Sequence, residues 1–255
     1  MKITFLGTGT SQGVPLIACG CEVCTSQDEQ DKRLRSSIMI EDEGVCIVID
    51  SGPDFRQQML REKVNQLDAL VFTHSHKDHT AGMDDVRAFN YFSNKAMDVY
   101  ASTFTQSILK REFQYIFDHT DYPGIPKIDL HTIQAGKPFT IANLHILPIE
   151  VFHHKMPVLG FRVKDFTYIT DANLIPDYSK QLIAGTEVLV INALRRKEHI
   201  SHFTLTQAIA EAKNMGIKQT YLTHLSHQMG LHKVLQNELP EGIAPAYDGL
   251  KITLP

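Results

Sequence analysis

The sequence lacks an apolar run long enough to cross a bilayer, and its first residues lack the apolar core of a signal peptide. From Met1 the chain moves directly into the alternating pattern of a strand. A disulfide framework is also lacking, because the four cysteines comprise three close together and one alone. We therefore expect a soluble cytoplasmic protein that has no membrane partner.

An excess of positive charge is lacking too. The 25 lysines and arginines are outnumbered by 29 aspartates and glutamates, so the net charge is −4. The isoelectric point is near 6.3. A broad basic surface for nucleic acid is therefore not expected, although a small local basic patch remains open.

The composition favours a well-packed globular chain. Apolar residues make up 43% of the 255 residues, which is ample for a buried core. Periodic apolar patterns predict a strand hairpin over 35–41 and 44–50, and helices over 103–117 and 203–215. Because there is no low-complexity segment and no clear linker, we expect a single domain over residues 1–255.

The stretch 70–79 carries three histidines and one aspartate directly after a short apolar strand pattern. His74 and His76 are two residues apart at the end of that strand, so their side chains project to the same side and can bind one metal ion. Asp78 and His79 follow as the loop turns toward a helix, and they can reach a second ion. Nitrogen and carboxylate donors of this kind suit zinc, manganese or iron.

Three further strand ends carry candidate ligands for the same two ions. His153 and His154 end one predicted strand, and the residues alone leave open which of them binds metal. Asp171 ends another strand and can bridge two cations, because a carboxylate has two oxygens. His224 follows a third strand and completes the set.

A second group of metal donors lies near the start of the chain. Cys19, Cys21 and Cys24 fall within six residues, and a structural zinc normally takes four ligands. His227 is the best candidate for the fourth ligand, while three unliganded thiols on a loop are the alternative. Cys46 lies within an apolar strand pattern and is predicted to be a small buried residue.

The glycine-rich stretch 7–13 resembles a dinucleotide-binding loop only superficially. Its spacing is G-x-G-x-x-x-G, and a valine and a proline follow where that loop would begin a helix. We favour a turn that brings backbone amides near an anionic substrate.

Other polar residues are assigned to the surface. Arg195 and Arg196 could contact a phosphate, but a solvated basic turn is the favoured interpretation. The stretch 119–126 predicts a loop at the rim of the site. His119 and His131 are predicted to be surface residues and not ligands.

The run His-Ser-His-Lys-Asp-His at 74–79 resembles the H-x-H-x-D-H signature of the metallo-β-lactamase superfamily. The resemblance extends over most of the chain and implies an α/β (α+β) fold, an αββα four-layer sandwich. It also implies that Asp50, at another strand end, orders the metal-binding loop without binding metal, and that His153 is the ligand and His154 the alternative. The implied dimetal ligands are His74, His76, Asp78, His79, His153, Asp171 and His224.

The cysteine group, the loop at 7–11 and the stretch 223–227 are together similar to PhnP-type phosphodiesterases, which are relatives of tRNase Z. That similarity implies one structural zinc held by Cys19, Cys21, Cys24 and His227. It further implies two divalent ions at the active site, zinc or manganese with iron also open, and a homodimer.

The same similarity implies that His202 is the catalytic acid or phosphate contact and that Asp78 takes part in catalysis. Two alternatives for the role of His202 are open. Either His199 supplies the proton, or His202 only caps the helix that begins beside it.

The expected activity is hydrolysis of a small phosphodiester, linear or cyclic, by water that two metal ions activate. The alternatives are tRNA 3′-end processing, thioester hydrolysis and a non-catalytic metal-binding protein of the same fold. The sequence has no Gly- and Pro-rich insert of the kind that grips tRNA, so a small substrate is favoured over nucleic acid.

Overall fold

Two β-sheets pack face to face in the computed structural model, which describes residues 1–118 and 124–255. His119 and most of the predicted rim loop at 119–126 lie outside the described residues. The strands are β1 (Lys2–Gly7), β2 (Ser37–Asp42), β3 (Val45–Ile49), β4 (Ala69–Val71), β5 (Met97–Ala101), β6 (Ile128–Thr132), β7 (Phe139–Ile141), β8 (Leu144–His153), β9 (Met156–Val163), β10 (Phe166–Ile169), β11 (Val188–Asn192), β12 (Gln219–Thr223), β13 (Ile243–Pro245) and β14 (Lys251–Thr253).

The two sheets repeat one topology. Within the described residues each has seven strands, in the order β14-β1-β2-β3-β4-β5-β6 and β13-β12-β11-β10-β9-β8-β7. In each sheet one half is antiparallel and the other half parallel: β3 to β6 run parallel, as do β10 to β13. The carboxyl ends of parallel strands lie at one edge, so each sheet offers such an edge for functional loops.

Helices cover the outer face of each sheet. They are α1 (Phe55–Glu62), α2 (Lys77–Thr80), α3 (Arg87–Ser93), α4 (Thr103–Glu112), α5 (Gln114–Phe117), α6 (Asp177–Ile183), α7 (Leu205–Asn214) and α8 (His232–Glu238). Together with the two sheets they form the predicted αββα sandwich, so the expected fold class is confirmed.

The main core lies between the sheets. Phe5 and Ile49 of the first sheet pack in one cluster with Phe161 and Tyr168 of the second, and all four are fully buried. The alternate strand positions point outward: Val48 belongs to the cluster under α1. Both faces of the strands are therefore apolar, as a sheet between two layers requires.

The predicted helices are present with altered boundaries. The predicted helix at 103–117 is interrupted at Phe113, which separates α4 from α5. The helix at 203–215 is α7, where Thr204 and Gln207 form a capping box. Gly216 ends it with a φ of 68°, which costs a glycine little.

Two other expectations have outcomes here. In the described part of the chain, no helix is both long enough and apolar enough to cross a membrane. Cys46 lies in β3 as predicted, but it is only partly buried and packs at the margin of the cluster under α1. The prediction of a buried residue was therefore only partly right, because Val45 and Ile47 point into the core between the sheets whereas Cys46 points to the outer face.

Candidate active site and metal centres

The candidate site lies where strand ends from both sheets meet. Asp50 and His224 follow a strand directly and Asp171 lies two residues after one, and their φ values of 66°, 56° and 55° are left-handed. Such a conformation is rare for residues with a side chain and costs about 1–3 kcal/mol. It turns the chain sharply at the edge of the sandwich, where these side chains come together with the loop after β4.

Three groups of donors share the carboxylate of Asp171. The first is Asp78, His79, Asp171 and His224, the second is His74, His76 and Asp171, and the third is His153, Asp171 and His202. Within each group the ligand atoms lie within 4.8 Å of one another.

The two oxygens of Asp171 face different groups. Oδ2 lies 3.8 Å from Nε2 of His74, whereas Oδ1 lies 3.4 Å from Nε2 of His79 and 2.9 Å from Nδ1 of His224. This is the placement that the sequence predicts for a carboxylate that bridges two cations.

His153, and not His154, reaches this cluster. The ring of His153 lies 5.1 Å from that of His76, and its Nδ1 lies 2.8 Å from the carbonyl oxygen of Ser201, to which it can donate. That hydrogen bond leaves Nε2 unprotonated and free to bind a cation. His154 is exposed with a φ of 58°, and its side chain belongs to none of the donor groups among the described residues.

The electrostatics of the cluster suit divalent cations. Nε2 of His74 and of His79 are buried and have no hydrogen-bond partner among the described residues, an arrangement that is costly unless a ligand satisfies them. Burial, reinforced by His79, lowers the pKa of His74 well below its usual range and keeps its imidazole neutral. Although burial opposes it, the histidines hold the pKa values of Asp78 and Asp171 below their usual range. Although burial opposes it, Asp78, Asp171 and Asp50 raise the pKa of His79 well above its usual range. Neutral imidazoles and ionised carboxylates are the forms that bind cations, so a cation that binds at His79 displaces a proton from it.

Asp50 accepts hydrogen bonds from the loop that carries His74 and His79. It is fully buried, and its carboxylate accepts the Thr73 amide at 2.9 Å, the Thr73 hydroxyl at 2.8 Å and Nδ1 of His79 at 2.7 Å. Because the Thr73 hydroxyl donates to Asp50, it accepts Nδ1–H of His74, 2.9 Å away. Both histidines are thereby fixed with Nε2 toward the centre, as expected for a residue that supports ligands without being one.

The three cysteines of the early loop lie next to His227, as the sequence predicts. Their sulfurs lie 3.3, 3.3 and 3.5 Å from the same His227 nitrogen, Nδ1. One ring nitrogen cannot form hydrogen bonds with three thiols at once, whereas tetrahedral zinc would separate sulfur and nitrogen ligands by about 3.5 Å. The four residues therefore fit a structural zinc, and unliganded thiols explain the convergence less well.

The thiols are not equivalent without a metal. The Cys24 amide and His227 lower the pKa of Cys21 to about 6, whereas burial raises the pKa of Cys24 to about 11. A divalent cation would favour the thiolate at both positions.

His202 lies against the cluster of histidines and aspartates and does not cap a helix. Its ring stacks on that of His224 at 4.9 Å and lies 4.5 Å from that of His153. Thr204 caps α7, so the capping alternative for His202 was wrong. Burial, with His224 nearby, lowers the pKa of His202 to about 3. His199 lies farther out, with its ring 5.1 Å from that of His202.

A family model for the β-lactamase superfamily domain matches residues 46–225, which include all seven predicted metal ligands. The chain belongs to the metallo-β-lactamase superfamily.

Three known proteins resemble the chain over more than half of its length. The crystal structure of a diphosphatase from the PhnP family has a TM-score of 0.93 at 38% identity, covering 100% of this chain and 98% of that one. An octanoyltransferase of Porphyromonas gingivalis is 38% identical over 253 residues, 98% of this chain and 51% of that protein. A ribonuclease Z of a Nostoc species is 27% identical over 169 residues, 65% of this chain and 47% of that protein. The chain thus spans about half the length of these two curated relatives.

Sequence reasoning missed several residues that position the superfamily's ligands. Ser36 contacts Nδ1 of His224 at 3.2 Å, and Thr73 links Asp50 to His74. The Asn192 side chain accepts the amide of Ala172 and donates to its carbonyl, which fixes the chain just after Asp171. Of these residues, only Asn192 could have been identified from the sequence. It lies at the end of an apolar strand pattern, as Asp50 and Asp171 do.

A buried arginine ties the cysteine-bearing segment to the end of the chain. Arg33 donates to the Thr8 hydroxyl at 2.8 Å and the Ala246 carbonyl at 2.6 Å. It also lies 3.2 Å from Nδ1 of His232. Because a guanidinium can only donate, this ring nitrogen must be the acceptor. Protonating Nδ1 would therefore break this buried contact. The amide of His232 donates to Asp31 at 2.6 Å, which holds the residue in place.

Replacing one cysteine should remove only the structural metal. We expect Cys21→Ser to bind one metal equivalent fewer than the wild type, because the zinc loses a thiolate while the dimetal ligands are unchanged. Elemental analysis of the purified proteins measures this. Cys46→Ser is the control, since Cys46 belongs to no donor group of the described residues. Equal metal content in Cys21→Ser and the wild type would exclude the cysteine site.

His232 should make stability depend on pH. Burial and Arg33 lower its pKa to about 4, whereas in the unfolded chain it titrates near 6.5. Between these values the unfolded state binds the extra proton, so this contribution to stability is lost as the pH falls from about 6.5 to 4, by at most about 1.4 kcal/mol per pH unit.

Urea unfolding of His232→Asn across that pH range checks the assignment. The variant keeps an acceptor for Arg33 but does not titrate, so its free energy of unfolding should fall less steeply than that of the wild type. His145→Asn, at an exposed position of β8, is the control. The assignment is wrong if both variants show the same slope.

Proposed function

We propose that this protein is a dinuclear metal-dependent phosphodiesterase that acts on a small linear or cyclic phosphodiester. The observation that carries the proposal is the shared carboxylate of Asp171, with one oxygen toward each of two donor groups. Bound there, two divalent cations supply Lewis acidity and lower the pKa of a water molecule toward neutrality. The proposed ions are zinc or manganese, with iron compatible with the same donors.

The chain's own residues supply orientation and a proton. Asp50 and Thr73 fix the two histidines of the metal loop, so the donors need no rearrangement during the reaction. His202 lies beside the cluster and is placed to donate to the departing oxygen of the substrate. Since burial keeps its imidazole neutral in the free protein, the charge of a bound phosphate is what favours the protonated, donating form.

The names of two relatives support hydrolysis at a phosphorus atom. The names diphosphatase and ribonuclease Z both denote hydrolysis at phosphorus, and the diphosphatase resembles this chain over its whole length. tRNA 3′-end processing remains an alternative through the ribonuclease relatives. A net charge of −4 supports a small substrate instead, because binding an RNA backbone draws on many basic groups.

Thioester or acyl hydrolysis is a second candidate, favoured by one observation. An apolar cavity of about 460 Å³ lies beside Thr73, next to the metal loop, with Phe104, Met156 and Leu159 in its walls. Such a cavity suits an acyl chain. The octanoyltransferase relative also has an acyl substrate in its name, but that activity belongs to a protein about twice as long.

A comparison of three substrates tests the reaction class. Protein reconstituted with manganese or zinc is assayed with bis(p-nitrophenyl) phosphate, p-nitrophenyl phosphate and an octanoyl thioester. We expect turnover of the diester that is lost in Asp78→Ala, because that residue belongs to the donor group. Thioester turnover alone would replace the phosphodiesterase proposal. No turnover of any substrate would favour the non-catalytic alternative, after pre-tRNA has been tried.

His202 is tested separately from metal binding. We expect His202→Ala to lower kcat for the diester by about 10²–10⁴-fold, the usual contribution of an acid–base residue, with unchanged metal content. His199→Ala is the matched control and should lose far less activity. Unchanged turnover in His202→Ala would assign the proton to His199 or to solvent.

Two further proposals concern the location and the oligomeric state of the protein. We propose a cytoplasmic homodimer, as the resemblance to PhnP-type enzymes implies. Light scattering of the purified protein measures the number of chains.

A further inference from the structure

A second, polar groove leads away from the proposed catalytic centre. It has a volume of about 350 Å³ and begins at His202, which lies against the dimetal cluster. The loop 10–13 lines it, and so do Arg195 and His199. The described residues that line it include no carboxylate. Its volume lies within the range of small-molecule sites, so it can hold part of a substrate whose reacting group is at the metal ions.

Arg195 enters this groove with an uncompensated charge. Its guanidinium donates only to neutral oxygens: the carbonyls of Lys197 at 3.2 Å and Glu198 at 2.7 Å, and the Gln228 amide oxygen at 3.3 Å. No described carboxylate lies within ion-pair distance. Three of its five N–H groups are used, so two are free to contact a ligand. These neutral contacts hold the guanidinium in place without cancelling its charge.

The neighbouring arginines differ from Arg195. Arg196 pairs with Glu238 at 2.6 Å and donates to the Met229 carbonyl, and it does not line the groove. Arg35 pairs with Asp54 at 3.1 Å. The unpaired charge therefore distinguishes Arg195 from these two arginines.

A turn that lines the same groove has free backbone amides. The Gly13 amide closes a turn onto the Thr10 carbonyl at 2.8 Å, while the amides of Ser11 and Gln12 donate to no described residue. Free amides at a turn and an unpaired guanidinium are both donors that bind anions. The loop 10–13 and Arg195 thus offer the groove the same kind of recognition chemistry.

The cysteine cluster holds part of the groove lining in position. Leu16 lines the groove and its amide donates to the Cys24 sulfur at 3.3 Å. His227 lines the groove as well, and its Nδ1 meets the three thiols. A structural zinc there would fix this part of the lining without taking part in the reaction.

We propose that this groove is a subsite for an anionic group, a phosphate or a carboxylate, that the substrate carries apart from its scissile phosphorus. Arg195 is then the residue that selects substrates with that group. This inference rests on the proposed function, since it assumes that the reacting phosphate lies at the dimetal cluster.

Three chromogenic diesters test the subsite. Each has a p-nitrophenyl leaving group and a second arm of equal length that ends in a phosphate, a carboxylate or a hydroxyl. We expect Arg195→Gln to raise KM at least about tenfold for the phosphate arm, and to leave the hydroxyl-arm diester within about twofold. An equal rise for the carboxylate arm assigns a general anion site, and no rise there assigns a phosphate site.

Two matched variants sharpen the comparison. Arg196→Gln removes the adjacent charge outside the groove and should leave all three KM values within about twofold. Arg195→Lys keeps the charge and should restore part of the preference for the phosphate arm. Equal losses for charged and neutral arms in Arg195→Gln, or equal effects of Arg195→Gln and Arg196→Gln, would overturn the subsite.

A binding measurement separates this inference from the reaction. Methylenebisphosphonate resists hydrolysis, and calorimetry of the metal-loaded protein gives its affinity beside that of inorganic phosphate. We expect Arg195→Gln to weaken methylenebisphosphonate about tenfold and inorganic phosphate hardly at all. If the wild type hydrolyses no diester but shows this difference, the phosphodiesterase proposal fails and the anion subsite stands. If diesters are hydrolysed and the difference is absent, the subsite fails alone.

Discussion

The carboxylate of Asp171 is the constraint on which the rest of the site depends. It is nearly fully buried, which would be costly for an isolated charge, and it is surrounded by histidines from the loop after β4 and from the end of β12. Because each of its oxygens faces a different group of donors, the two sheets must be held in one relative position. The large core between the sheets supplies that rigidity.

A second layer of hydrogen bonds turns this proximity into a defined geometry. Asp50 fixes His79 directly and fixes His74 through the hydroxyl of Thr73, so both imidazoles present the same nitrogen to the centre. Asn192 does the same for the backbone beside Asp171 by pairing with both polar groups of Ala172. The histidine tautomers thus follow from donors and acceptors that are themselves buried and satisfied.

Around this centre, some residues hold the chain together and others line the cavities. The cysteine cluster and the buried contacts of Arg33 tie the early loop to the end of the chain, and His227 of that cluster lines the polar groove. Residues that follow β11, next to His202, line the same groove. The metal-binding edge is common to the superfamily, whereas the surrounding cavities are where substrate selection can differ.

The sequence by itself determined the local features. The alternation that places Ile49 toward the inner core and Val48 toward a helix is encoded in neighbouring residues, and so is the donor order at 74–79. The resemblance carried by that motif gave the fold class correctly. These features depend on spacings of a few residues, which strand and helix geometry converts directly into direction.

Only the tertiary structure decided the features that depend on distant contacts. Sequence left His153 and His154 equivalent until a resemblance was invoked, and the folded chain separates them because one bonds to Ser201 and the other is exposed. The folded chain also distinguishes Arg195, which donates to carbonyl oxygens, from Arg196, which pairs with the carboxylate of Glu238. Charge compensation and burial are set by residues tens of positions away, and packing alone brings those residues into contact.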